Sequence, residues 1–217
     1  MDRCVHSQRY REAVARPADR ATPARVHYAE PFAVESLAAA IRERLSLYRW
    51  SDKRPWVLLC IGTDRLTGDA LGPLVGTKLA ASCGHSFYVY GTLADPVHAL
   101  NLREKLREIY IRYENAFIVA VDASLGDPRN IGVINVGVGP LSPGAGVKRS
   151  LPYVGHLYIT GVVSTGGLGG LLSTRLHLVM RQAEIIAAAI LRAAREERAV
   201  TVLPPYKLST AGGVYVR

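Results

Sequence analysis

Apolar positions along this chain follow two patterns. In "AVESLAAAIRERLSLY", residues 33–48, Val34, Leu37, Ile41, Leu45 and Tyr48 recur at three- and four-residue steps, which predicts an amphipathic helix. Lys53 to Pro55 break the pattern. "WVLLCI", 56–61, is then a short unbroken apolar run, the mark of a strand buried on both faces. Further strands are predicted at "SFYVYGTL", 86–93, "AFIVAVDA", 116–123, "IGVINVGV", 131–138, and "HLYITGVV", 156–163. Helices are predicted from the loop after residue 61 to about Ser82, and from Asp95 to about Tyr113, where Asp95 caps and Pro96 fits the first turn. A last helix is predicted from near Leu171. Its stripe is Leu172, Leu176, Val179, Ala183, Ile186 and Ile190, stepping by four and three.

Strands that alternate with helices imply right-handed crossovers and a mostly parallel sheet covered on both faces, an α/β fold. Sites in such sheets lie at the carboxyl ends of strands. The candidate loops are therefore 62–72, 122–130 and 164–170. Residues 31–198 read as a single α/β domain. Residues 1–30 read as a basic, disordered tail, and 199–217 as a second tail or an edge strand.

Composition narrows the picture. The chain has 217 residues, 49% of them apolar, enough for one domain with a sizeable core. No apolar stretch reaches a membrane-spanning length, and the N-terminus lacks the apolar centre of a secretory signal. Cys4, Cys60 and Cys83 are scattered and odd in number, which favours reduced thiols and a cytoplasmic location. Of the net charge of +9, residues 1–25 supply six arginines against three acids, and residues 192–217 five basic against two acidic residues. A basic chain attracts acidic partners. With no aromatic-plus-basic constellation, the expected partner is an acidic protein, not nucleic acid or a membrane. The apolar stripe of the last helix, buried in the core or in a dimer, leaves a homo-oligomer open.

The chemistry concentrates in "IGTDRLTGDALGP", 61–73. It has the spacing of a strand-to-helix turn but matches no phosphate-binding fingerprint, and Asp64 and Asp69 would repel a phosphate. Asp69 can cap the next helix. Alternatively Gly72 caps it, Pro73 takes the first helical position, and Asp69 is freed into the loop mouth. Asp64 reads as an Asx-turn residue, with Arg65 beside it in a supporting role. Asp122 ends a strand with no other charge, and a carboxylate there needs partners or a shifted pKa. If the strands at 56–61 and 116–123 are neighbours, Asp69 and Asp122 face each other. Such a pair can divide acid and base roles. The alternative is that both hold a divalent cation with His98 or His156. Gly166 and Gly167, in "STGGLGGLL", offer backbone N–H groups at a helix start, or serve as a hinge. Lys148 and Arg149 offer a dock for an acidic substrate. Ser124, Ser164 and Thr165 lie in the right loops, but no nucleophile elbow marks them.

The segments "IGTDRLTGDALGPLVGTKL", "PVHALNL", "VDASLG", "GPLSPGAGVKRSLPYVG" and "ITGVVSTGG" together resemble the YyaC sporulation proteins of spore-forming Firmicutes, over roughly residues 55 to 192. That family is similar to the spore germination protease and to hydrogenase maturation endopeptidases. The resemblance implies a three-layer α/β/α sandwich of the phosphorylase/hydrolase type. It carries the germination protease's proposed catalytic aspartates onto Asp69 and Asp122. In the hydrogenase peptidases the same two positions hold nickel with a histidine, for which His156 is the better match here. Three functions follow as expectations: an endopeptidase acting on a spore protein, a metal-binding maturation-type peptidase, or a non-catalytic sporulation factor that keeps the fold.

Overall fold

The computed structural model describes residues 22–48, 54–82, 87–144, 151–200 and 215–216. Seven strands form one sheet in the order β1-β5-β6-β4-β2-β3-β7. They are β1 (Ala24–His27), β2 (Trp56–Cys60), β3 (Phe87–Tyr90), β4 (Phe117–Leu125), β5 (Val133–Val138), β6 (Leu157–Ser164) and β7 (Tyr215–Val216). The apolar runs make the centre: β6, β4, β2 and β3 pair in parallel, and all five residues of β2 are buried. The periphery is antiparallel: β5 runs against β6, β1 against β5, and β7 against β3. The short β5–β6 pairing needs no crossover helix, which is why the "IGVINVGV" strand runs opposite to its neighbour.

Helices cover both faces. On one face α1 (Ala33–Ser46), α2 (Leu71–Ala80) and α5 (Leu176–Val200) pack against Leu58, Cys60, Val119, Val121, Ile134 and Ile159. On the other, α3 (Leu102–Arg112) packs Leu102, Leu106 and Ile109 against Val57, Leu59, Ile118 and Ala120. Alternate strand residues thus feed two separate cores, and the result is the expected three-layer α/β/α sandwich. Among the described residues, no helix is long and apolar enough to cross a membrane.

Several boundaries differ from the sequence reading. Ala24–His27 is not part of a tail: it pairs with β5 across four residues, and Val26 is buried in the core. Asp95 caps no helix. α3 begins seven residues later, after Asn101, and Asp95 instead pairs with Lys105 at 2.9 Å. The last helix is two helices, α4 (Gly167–Ser173) and α5, because Thr174 is extended. Leu172 and Leu176 consequently fall outside the apolar stripe and are exposed, while Val179, Ala183, Ile186 and Ile190 are buried as expected. Of the three cysteines, Cys60 is a buried free thiol, and burial pushes its pKa up to about 12; Cys4 and Cys83 lie outside the described residues.

α2 lies unusually close to the sheet. A Cβ at Gly72 would fall 2.1 Å from the Ile61 carbonyl oxygen, and one at Gly76 would fall 1.9 Å from that of Gly91. Both contacts are with backbone, so neither can yield by a rotamer change. Gly76→Ala should therefore destabilise the protein by about 3 kcal/mol or more, the upper end for overpacking, despite alanine's better helix propensity. Urea denaturation of the variant would check this; an unchanged midpoint would contradict the close packing.

Candidate active site

The two strand exits that matter leave neighbouring strands in different directions. β2 leads through α2 to β3 on one side, while β4 leads to β5 and β6 on the other. β2 and β4 are hydrogen-bonded neighbours, in register from Trp56 with Phe117 to Cys60 with Val121. Their carboxyl ends form a switch point of the sheet, where open α/β folds leave a crevice.

The β2 exit is shaped by one glycine and one proline. The Ile61 N–H still bonds the Val121 carbonyl at 2.7 Å, extending the sheet by one residue. Gly62 then turns with φ +139°, and a Cβ there would lie 2.0 Å from the Asp69 carbonyl oxygen. The loop crosses itself at this point. Pro73 has no N–H to offer the Asp69 carbonyl four residues earlier, and that carbonyl accepts the Thr63 N–H instead, at 3.1 Å. Asp69 sits in a 3-10 turn, Thr67–Ala70, that runs straight into α2. Neither expected cap is observed. Ala70 precedes the helix, Gly72 is its second residue and Pro73 its third, still within the turn whose N–H groups need no intrahelical partner.

Asp122 faces the α3 side, alternating with Ile118 and Ala120, and is only 5% exposed. Its Oδ1 accepts the Ala123 N–H at 2.8 Å, and the Gly144 N–H from the Pro/Gly loop also donates to its carboxylate. Both donors favour the anion, yet its pKa is pushed up to about 8, first by burial and then by the charge of Asp69. Burial likewise raises Asp69 to about 6, against the pull of the Thr63 N–H. The two carboxylates therefore sense each other. At neutral pH Asp122 holds its proton and Asp69 is mostly ionised.

The other candidate residues divide. Asp64 and Arg65 are exposed at the loop tip, and the turn there is closed by Thr63, whose Oγ1 accepts the Arg65 N–H at 3.3 Å. The Asx-turn assigned to Asp64 is thus a threonine turn. Gly166 precedes α4 with φ +154°, exposed, and Gly167 is the first residue of that short helix. Ser164 is buried, with Gly170 closing over its Oγ, and Thr165 is exposed. Ser124 lies two residues beyond Asp122 with a buried Oγ that has no partner among the described residues. Lys148 and Arg149 lie outside the described residues.

His156 does not join the aspartates. The Ile118 N–H donates to its Nδ1 at 3.0 Å, and its ring stacks on Phe117. Ile118 is four residues before Asp122 on the same strand, about 13 Å away along it. Burial and the nearby Arg54 lower the His156 pKa to about 4, so it is a neutral core residue. His98 is at the correct end: it follows Val97, whose carbonyl accepts the Gly62 N–H at 2.8 Å, and its Nδ1 accepts the Leu100 N–H. Among the described residues, no three His, Cys, Asp or Glu side chains converge as a metal site. The donor set thus does not fit the nickel arrangement that the resemblance implied. The contributions that sequence reading missed are main-chain donors, Thr63 and Gly144, which leave no residue-type signal.

Comparisons with known proteins agree with the motifs. Residues 25–189 match the family model described as "Protein of unknown function (DUF1256)". The chain is 49% identical to "Uncharacterized protein YyaC" of Bacillus subtilis (strain 168) over 140 residues, 63% of this chain and 68% of that protein. Among solved structures it is similar to a NiFe hydrogenase maturation protease, HycI, from Thermococcus kodakarensis KOD1, with a TM-score of 0.43 and 17% identity over 71% of this chain and 98% of that one.

The raised Asp122 pKa has a thermodynamic consequence. The unfolded chain releases this proton near pH 4 and the folded chain only near pH 8, so the folded state binds more protons between those values and loses stability as pH rises through them. Asp122→Asn removes that loss. The variant should be more stable than the wild type at pH 8, by more than about 1 kcal/mol, with the difference shrinking towards pH 4. Thermal melts across that range would show it; a pH-independent difference would mean the carboxyl is solvated.

Proposed function

The chain belongs to the DUF1256 family, and we propose that it is an endopeptidase that cleaves an acidic protein made during sporulation, with Asp69 and Asp122 as its catalytic groups. The observation that carries this reading is a pair of carboxyls, Asp69 and Asp122, brought together at one switch point of the sheet, where burial raises both pKa values and the charge of Asp69 raises that of Asp122 further. An aspartate pair that shares one proton at neutral pH has an acid and a base in place at once. The sporulation setting is what the resemblance of the motifs to the YyaC sporulation proteins implies. The acidic substrate is supported by the net charge of +9.

In this mechanism Asp69 carboxylate takes a proton from a water molecule as the water oxygen bonds to the scissile carbonyl carbon. Asp122 gives its proton to the carbonyl oxygen, and a gem-diol forms. The C–N bond then breaks: the proton held by Asp69 passes to the departing amine nitrogen, and a hydroxyl proton returns to Asp122. The carboxylic acid and amine leave, and both aspartates recover their starting states. No ion or cofactor enters the balance. The Gly144 and Ala123 N–H groups stabilise Asp122 in the interval when it is charged.

The rate requires one ionised and one protonated carboxyl. It should therefore follow a bell with limbs near pH 6 and pH 8, values that belong to the pair. The direct test is incubation of the purified protein with acid-soluble spore proteins, read by mass spectrometry. Asp69→Asn and Asp122→Asn should each lower cleavage at least about 100-fold while the melting curve stays cooperative. Cleavage by either variant at the wild-type rate would overturn the assignment.

A further inference from the structure

The sheet face that carries Asp122 is covered unevenly: Leu141, Leu151 and Val154 of the Pro/Gly loop pack beside α3, and Gly144 reaches Asp122. Among the described helices α3 alone packs on it, over β2, β3 and β4. Across β4, β6, β5 and β1, one register row is polar from end to end. Asp122 on β4 pairs with Thr160 on β6, Thr160 with Asn135 on β5, and Asn135 with Arg25 on β1. Paired residues share a face, and Asn135 Nδ2 donates to Thr160 Oγ1 at 3.4 Å. With neighbouring strands about 4.8 Å apart, the row reaches about 14 Å from Asp122. Exposure rises along it: Thr160 is buried, Asn135 half-buried and Arg25 exposed.

Folding does not call for this row. The residues before and after it on β6 are Tyr158, packed over Gly137, and Val162, packed over Gly126. An apolar pair at 135 and 160 would extend that surface. The polar pair gains one long hydrogen bond in exchange. At the outer end Asn130 Oδ1 accepts from Arg25 Nη2 at 2.6 Å and holds the guanidinium in place. Among the described residues, no carboxylate pairs with it.

We infer that this row is the groove for the substrate chain on one side of the cleaved bond. Thr160 holds the Asn135 amide, Asn135 bonds the main chain of an extended peptide, and Arg25 pairs with an acidic side chain. An extended chain advances about 3.5 Å per residue, so 14 Å sets that acid about four residues from the bond at Asp122. The inference rests on the peptidase reading and adds a specificity to it.

A proteome-derived peptide library cleaved by the intact protein, with the products sequenced by mass spectrometry, tests it. Asp and Glu should be enriched three to five residues from the cut on one side. Arg25→Ala should erase the enrichment, and Arg25→Glu should replace it with Lys and Arg. For a single acidic peptide from the set, Arg25→Ala should raise KM about fivefold or more, and the isosteric Thr160→Val should raise it too. Absence of the enrichment, or an Arg25→Glu profile like the wild type's, overturns the inference. If the wild type cuts nothing, the peptidase reading fails by itself, and retention of the same library on immobilised Asp122→Asn protein decides the groove. Acidic peptides held by that variant and released by Asp122→Asn/Arg25→Glu uphold it. Equal retention, or none, overturns it.

Discussion

Three contacts of backbone on backbone hold the candidate site together, and each depends on a missing Cβ. Gly62 lets the β2 exit loop cross over the Asp69 carbonyl, Gly72 brings the first turn of α2 onto Ile61, and Gly76 seats the middle of that helix on Gly91. Because main chain cannot rotate away as a side chain can, the helix has one height above the sheet. Asp69 is attached to that helix through a continuous 3-10 turn, so its carboxyl is placed by the same contacts. A carboxylate on a free loop would relax away from a like charge. One tied to a helix and strand is held there, which is how a rigid scaffold keeps a costly pair close.

The cost is visible in the direction of both shifts. Asp122 has two N–H donors and Asp69 has one, and each bond favours the ionised form. Burial outweighs them at both positions, and at Asp122 the neighbouring charge adds to it. A folding optimum would replace one acid with an amide. Keeping two carboxyls that oppose ionisation at a sheet switch point is the kind of local conflict that functional sites retain.

Much of this was legible in the sequence, for reasons that also explain what was not. "WVLLCI" and "AFIVAVDA" have only one packing solution, a strand buried on both faces, so the central sheet and the position of Asp122 at a strand end followed directly. The adjacency of those strands put Asp69 beside Asp122. His156 misled because a histidine next to a strand carries no label for which end it occupies; only the Ile118–His156 bond fixes it at the wrong one. β1 was hidden because four residues, "ARVH", show one buried side chain and no run. The break at Thr174 was hidden because apolar spacing continued through it, while packing did not.

One tension in the functional reading is electrostatic, and geometry resolves it. A basic protein draws acidic chains, but an acidic side chain close to Asp69 and Asp122 would meet like charge in a poorly solvated site. Recognition of an acid is compatible with this pair only at a distance where screening has removed the repulsion. At physiological salt that distance is about 8 Å. Arg25, three strands away at about 14 Å, lies beyond it, while still joined to Asp122 by an unbroken row of side chains on one face. Chemistry and selectivity can then occupy one sheet face with opposite charges, because the width of three strands separates them.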